Sequence, residues 1–149
     1  MSAYKKILVP IDASQTAQTA AAQATALAHD QSAALRFVVV LEAHGLMASA
    51  PELLNVMGND ARLLLDAWVN KVQAPGQEVS SAVLETSQAV PRVADAILSE
   101  ARRWGADLIV IGSHGRSGVR RMILGSVAEG VAQRSTVPVL IVHAGDATA

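Results

Sequence analysis

The sequence predicts an α/β fold: one open, doubly wound sheet of five parallel strands with helices on both faces. Three observations carry this expectation. Five short apolar runs alternate with helical stretches in the order β-α-β-α-β-α-β-α-β. Three of those runs are nearly continuous in Val, Ile and Leu, the pattern of strands buried on both faces. Strict alternation calls for right-handed crossovers that lay helices against the sheet. The chain has 149 residues, 51% hydrophobic and 17% charged. That is the composition and size of a globular domain with a substantial core.

The first strand is read at Ile7 to Ile11. Ser14 is placed to cap an alanine-rich helix that continues to about Ala34, since a serine hydroxyl accepts from a free N–H of the first turn. A second strand follows at Leu35 to Ala43. Periodicity is weakest from Ala43 to Leu53, which reads as a mobile loop. Met57, Ala61, Leu64, Leu65, Trp68 and Val72 then recur at three- and four-residue steps, giving a helix over Pro51 to Val72,. Glu78 to Glu85 is more polar and reads as an edge strand,.

The third helix is expected to start near Pro91, where proline suits a first turn,. Its stripe is Val90, Val93, Ala94, Ile97, Leu98, Ala101 and Trp104, and Gly105 sits where a C-terminal glycine cap belongs,. Asp107 to Gly112 is the fourth strand. A fourth helix begins between Gly118 and Leu124 and runs to about Arg134, and Pro138 to Ala144 is the fifth strand. Trp68 and Trp104 lie on apolar stripes and read as core. Gly130 falls inside the fourth helix, where it costs about 1 kcal/mol relative to Ala; close packing or simple tolerance would account for it.

Several function classes are excluded at this level. A formal net charge of −1 gives no bulk attraction to nucleic acid or to an anionic membrane,. Without cysteine the chain has no disulfide and no thiolate metal site, which fits a reducing cytoplasm,. The opening MSAYKKILVPID has too short an apolar run for a secretory leader,. No stretch approaches the roughly 20 apolar residues that span a bilayer. His29, His44 and His143 show no metal-ligand spacing, and His114 could touch a phosphate or be an exposed loop residue,.

The segment GSHGRSGVRRMILGS, Gly112 to Ser126, carries most of the functional signal. It follows a buried strand and precedes a helix, so it lies at the carboxyl end of the sheet, where such folds bind ligands. A helix N-terminus offers unpaired N–H groups and partial positive charge, and glycine lets a backbone approach an anion closely. Neither the P-loop motif nor the Gly-x-Gly-x-x-Gly fingerprint is present,. Residue chemistry alone leaves two readings open, a phosphate cradle and a structural turn. Arg116, Arg120 and Arg121 could face phosphate or form a solvated helix face,.

GSHGRSGVRRMILGSVAEGVAQRSTVPVLIV resembles the C-terminal signature of the universal stress protein family. KKILVPIDAS is similar to the family's opening strand and loop, and ADLIVIGSHGRSG to its fourth strand and loop. The spacing Gly112-x2-Gly115-x9-Gly125-Ser126 is similar to that of the ATP-binding branch. The likeness spans the chain. It implies a single adenine-nucleotide-binding domain over residues 1–149, a sheet in the order 3-2-1-4-5, and a homodimer. It also implies ATP, or AMP or ADP, as ligand, with Mg or Mn often alongside. The residues it implicates are Pro10, Asp12, Val40, Gly112, Gly115, Gly125 and Ser126, and Arg116 joins them as a candidate phosphate contact. Ala13 departs from the family, which often has glycine after the aspartate.

Two of these residues have structural alternatives. Asp12 could meet the nucleoside or a metal, or form an Asx turn. Ser126 could meet phosphate or cap the fourth helix. Asp12 is the only acidic residue that the sequence places at the site, and no carboxylate or glutamine lies in Gly112 to Ser126. His114 could act as a base, but nothing near it in sequence would orient it,. The expectation is a cytoplasmic, nucleotide-dependent binding module for stress response or signalling, with at most slow ATP hydrolysis. The alternative is a nucleotide-independent dimeric scaffold. The apolar fifth strand would lie at a sheet edge, so a homodimer is expected through Val139, Leu140, Ile141 and Val142,.

Overall fold

The computed structural model describes residues 3–45, 49–114 and 124–143. The elements are β1 (Lys6–Pro10), α1 (Gln15–Gln31), β2 (Ala34–Leu41), α2 (Pro51–Val72), β3 (Val79–Glu85), α3 (Val93–Trp104), β4 (Leu108–Gly112), α4 (Ser126–Arg134) and β5 (Val139–Val142). The strands form one parallel sheet in the order β3-β2-β1-β4-β5. β3 is an edge strand, as its polarity suggests. Among the described residues no helix is long and apolar enough to cross a membrane.

Strand periodicity explains the continuous apolar runs. Ile7, Val9, Phe37 and Val110 face α1 and α2, whereas Leu8, Val38, Ile109 and Ile111 face α3 and α4. Successive side chains point to opposite faces, and both faces are covered, so neither set can be polar. α1 buries a stripe made only of alanine: Ala17, Ala20, Ala21, Ala24 and Ala28. Small side chains bring its backbone close to the sheet. The closest approach is at Gly112, where a Cβ would lie 2.9 Å from the Thr16 carbonyl carbon. Gly130 also has its reason: a Cβ there would lie 2.9 Å from the Ala94 Cβ, so glycine is what lets α4 lie against α3.

Several expectations need correction. α1 stops at Gln31 rather than near Ala34, because Ser32 takes a left-handed conformation (φ 54°) and bonds back to Ala28 and His29. Ala34 has already joined the sheet, donating to the Lys5 carbonyl. α3 starts at Val93, with Arg92 rather than Pro91 at its cap. α4 starts only at Ser126, later than its apolar pattern implies, with Gly125 as its N-cap. β5 lies at the sheet edge as expected, but it is not buried on both faces: Leu140 is 42% exposed. Trp68 is core and stacks at a tilt on Phe37, 5.8 Å between centroids. Trp104 is only half-buried, with Lys6 and Arg36 over its ring at 5.3 and 4.9 Å. The segment expected to be mobile is pinned at its start, where Ala43 N–H and His44 Nδ1 meet the buried Thr86 hydroxyl at 2.9 and 2.7 Å.

One charged cluster is built into the α3 face. Arg36 projects from near the start of β2 and donates to Glu100 at 2.8 Å and to Ser80 at 2.9 Å. Arg103, one turn along α3, donates to both Glu100 oxygens. Burial pushes the Glu100 carboxyl up, but the hydrogen bonds and charges of Arg103 and Arg36 outweigh it and hold the group below its ordinary value of 4.5. A carboxyl held low in the folded state stabilises the protein above its unfolded pKa and loses that contribution as pH falls through the folded value. Glu100→Ala leaves Arg36 largely buried without its carboxylate. It should cost about 3 kcal/mol at pH 7. Denaturant unfolding at pH 7 and pH 3 checks this, and the deficit relative to the parent chain should shrink at the lower pH.

Candidate functional site

The carboxyl ends of β1, β2 and β4 open into a cleft of about 550 Å³, within the range typical of small-molecule sites. Its floor is the end of the sheet: Pro10 and Ile11, Val38 to Glu42, and Ile111 to His114. α2 supplies one wall through Met57, Asp60, Ala61 and Leu64. α3 contributes Val93 and Ile97, and the start of α4 contributes Gly125 to Ala128. Six expected site residues therefore meet in one place: Pro10, Asp12, Val40, Gly112, Gly125 and Ser126. Gly115 and Arg116 lie outside the described residues.

Two backbone features face this cleft. The first is the end of the β1–β2 ladder. Its last pair is Pro10↔Val38, and Ile11 N–H donates to the Val38 carbonyl at 2.8 Å. Backbone groups alternate in direction along a strand, so Val40 points its N–H and C=O the same way as Val38, past the end of β1. They form a donor and an acceptor side by side, with no backbone partner among the described residues. The Val40 side chain packs on the α3–α4 face.

The second feature is the start of α4. Gly125 caps the helix without any side-chain bond. Its own N–H goes to the Ser113 carbonyl at 2.7 Å, and its carbonyl accepts from Glu129 N–H at 2.9 Å. The N–H groups of Ser126, Val127 and Ala128 thus have no intrahelical partner, and these residues line the cleft. Ser126 is the first helical residue, not the cap.

Asp12 forms the Asx turn that its sequence position allows. Its carboxylate accepts Ser14 N–H at 2.7 Å, while the Ser14 hydroxyl accepts Ala17 N–H at 3.2 Å and caps α1. The turn leaves Asp12 on the cleft wall, so its structural role and a ligand-facing role coexist. Asp12 is not the only acidic residue at the site, because Glu42 and Asp60 line the same cleft. Sequence reasoning missed both, along with Met57 and Leu64, because where α2 lies over the sheet is a tertiary fact. The available signal was the stripe through Met57, Ala61 and Leu64, with Asp60 beside it. His114 also differs from expectation: Ser113 Oγ lies 3.1 Å from its Nδ1 and orients the ring. Among the described residues no three His, Asp or Glu side chains are grouped to hold a metal ion.

Charge is unevenly distributed across the cleft. Glu42 and Asp60 lie on the β2–α2 side and Asp12 follows β1. The N–H groups of the first turn of α4, without an intrahelical partner, and its positive pole lie on the β4 side,. An anionic group is favoured at the β4 side, and hydroxyl or amine donors at the other.

The family model described as "Universal stress protein family" matches residues 3–143. Universal stress protein YxiE of Bacillus subtilis is 33% identical, over 94% of this chain and 99% of its own length. The solved structure of hypothetical protein MJ0577, a protein of Methanocaldococcus jannaschii, is similar with a TM-score of 0.82 at 27% identity, covering 97% of this chain and 99% of that one. A universal stress protein solved in complex with cAMP gives a TM-score of 0.73 at 26% identity, covering 97% of this chain and 100% of that one. The chain belongs to the universal stress protein family.

Proposed function

We propose that the chain is a single adenine-nucleotide-binding domain and acts as a nucleotide-dependent binding module in cytoplasmic stress response or signalling. The observation that carries this reading is that two backbone features without a backbone partner among the described residues meet in one cleft. The Val40 N–H and C=O suit the donor–acceptor edge of a purine, and the start of α4 suits a phosphate,. The distribution of charge orients the ligand in the same sense, with the nucleoside toward Asp12, Glu42 and Asp60 and phosphate toward Gly125 and Ser126. Pro10 and Gly112 shape the floor. Gly115, by the family's spacing, and Arg116, by its charge, are the further candidates for phosphate contact. The cAMP complex of a similar chain supports an adenylate as the ligand class. ATP, ADP and AMP share the adenylate core. Mg²⁺ or Mn²⁺ would arrive with a polyphosphate, whose oxygens are the hard ligands such ions prefer.

Binding only to the native state raises stability by about 2.7 kcal/mol at about a hundred times Kd, and the melting temperature by about 5–10 °C. A melting curve with and without ATP-Mg should show that rise. Gly125→Val should abolish it while leaving the unliganded melt cooperative, because a branched side chain would fill the space beside the free N–H groups. An equal rise in both proteins would contradict the assignment of the phosphate end, and no rise in the parent would favour a nucleotide-independent scaffold.

We also propose a homodimer through β5. Its outer edge has no neighbouring strand among the described residues, and Leu140 is exposed beside the half-buried Val139 and Ile141. Such an edge invites pairing with a second copy about a two-fold axis. Sedimentation at micromolar concentration should give a dimer, and Ile141→Lys should give a monomer. A dimer untouched by that substitution would move the interface elsewhere.

A further inference from the structure

We propose that Thr16 is a positioning residue for the phosphate end of the cleft, acting through the backbone of the chain that leads into the glycine loop. The proposal rests on the nucleotide reading of the site and extends it to α1, an element outside the loop itself. Thr16 lies in the first turn of α1 and is half-buried. Its hydroxyl donates to the His114 carbonyl. The residue before Gly115 is thereby tied to a helix that follows β1, not β4.

The contact requires Gly112. A Cβ on Gly112 would lie 2.9 Å from the Thr16 carbonyl carbon and 3.0 Å from both its carbonyl oxygen and its hydroxyl. The 2.9 Å approach to a backbone carbon is one that Cβ atoms essentially never show, so the helix would have to shift. Glycine at this position therefore admits α1 to the end of β4, in addition to any contact with a ligand. Between the two, Ser113 donates its N–H to the Val142 carbonyl at 2.9 Å and accepts Gly125 N–H at 2.7 Å. Residues 112, 113 and 114 are thus fixed in succession, by α1 packing, by β5 with Gly125, and by the Thr16 hydroxyl.

A polar chain also joins the two ends of the cleft. Ser14 N–H donates to Asp12 at 2.7 Å, Ser14 Oγ lies 3.4 Å from Thr16 Oγ1, and the Thr16 hydroxyl donates to His114. Thr16 has one hydroxyl proton, and the His114 carbonyl takes it, so the Ser14 hydroxyl is the donor in the weaker middle contact. Asp12 at the nucleoside end and His114 at the phosphate end are held through the same helical turn. Loss of the Thr16 proton should loosen the phosphate end while leaving the Asx turn and its cap in place.

The test compares Thr16→Val, which keeps the branched shape and removes the donor, with Thr16→Ser, which keeps the donor. Adenosine and AMP are titrated calorimetrically into the parent chain and both variants. Thr16→Val should weaken AMP about tenfold, the value of one net hydrogen bond, and change adenosine by less than about twofold. Thr16→Ser should restore AMP to within about twofold of the parent. Unchanged AMP affinity in Thr16→Val would overturn the proposal, as would equal losses for AMP and adenosine, which would make Thr16 a general fold residue. A parent chain that binds neither probe would overturn the nucleotide reading itself.

Discussion

The site depends on a mismatch in length. β1 leaves the sheet at Pro10, while β2, its neighbour, runs on to Leu41 beyond the last ladder pair. Backbone groups must be partnered or solvated, so the end of β2 is left presenting Val40 to open space. Because the strands are parallel, the start of α4 with its unpartnered N–H groups comes to the same edge of the sheet,. No catalytic group has to be placed to bring these two backbone features together; the alternation of strand and helix produces the edge.

Close backbone packing then gives that edge its shape. Alanine on the buried face of α1 and glycine at Gly112 let the helix backbone touch the end of β4. Gly130 does the same between α3 and α4. These positions have no polar chemistry of their own, yet they set where Asp12, His114 and Gly125 stand relative to one another. At the other end of the sheet, Arg36 and Glu100 tie β2 to α3 with a satisfied ion cluster. That cluster is remote from the cleft and serves stability.

What could be read from the sequence follows from this physics. The inner strands β1, β2 and β4 were legible because burial on both faces fills them with Val, Ile and Leu and little polar alternation. α2 was legible in its approximate extent, since Pro51 and the stripe ending at Val72 mark both of its ends. The start of α4 was not, because Gly125 caps it without a side-chain bond and so leaves no capping signal in the sequence. Gly112 and Gly125 could be found as loop glycines, but that α1 backbone makes a Cβ impossible at Gly112 is a contact between distant segments. Glu42 and Asp60 were invisible for the same reason: nothing local says that α2 leans over the carboxyl ends of β1 and β2. Arg36 reads as an oddity within an apolar run until Glu100 is seen to face it.

The central claim is that one adenylate spans the cleft from Val40 to the start of α4. Amide chemical shifts followed during titration with AMP test it most directly. The account predicts saturable shifts at Val40, Ser126 and Val127 with a single shared Kd, while Ser81 on the far edge strand and Arg103 on α3 stay unmoved. Saturable shifts confined to other surfaces, or different constants for Val40 and Ser126, would contradict a single ligand bridging the two features.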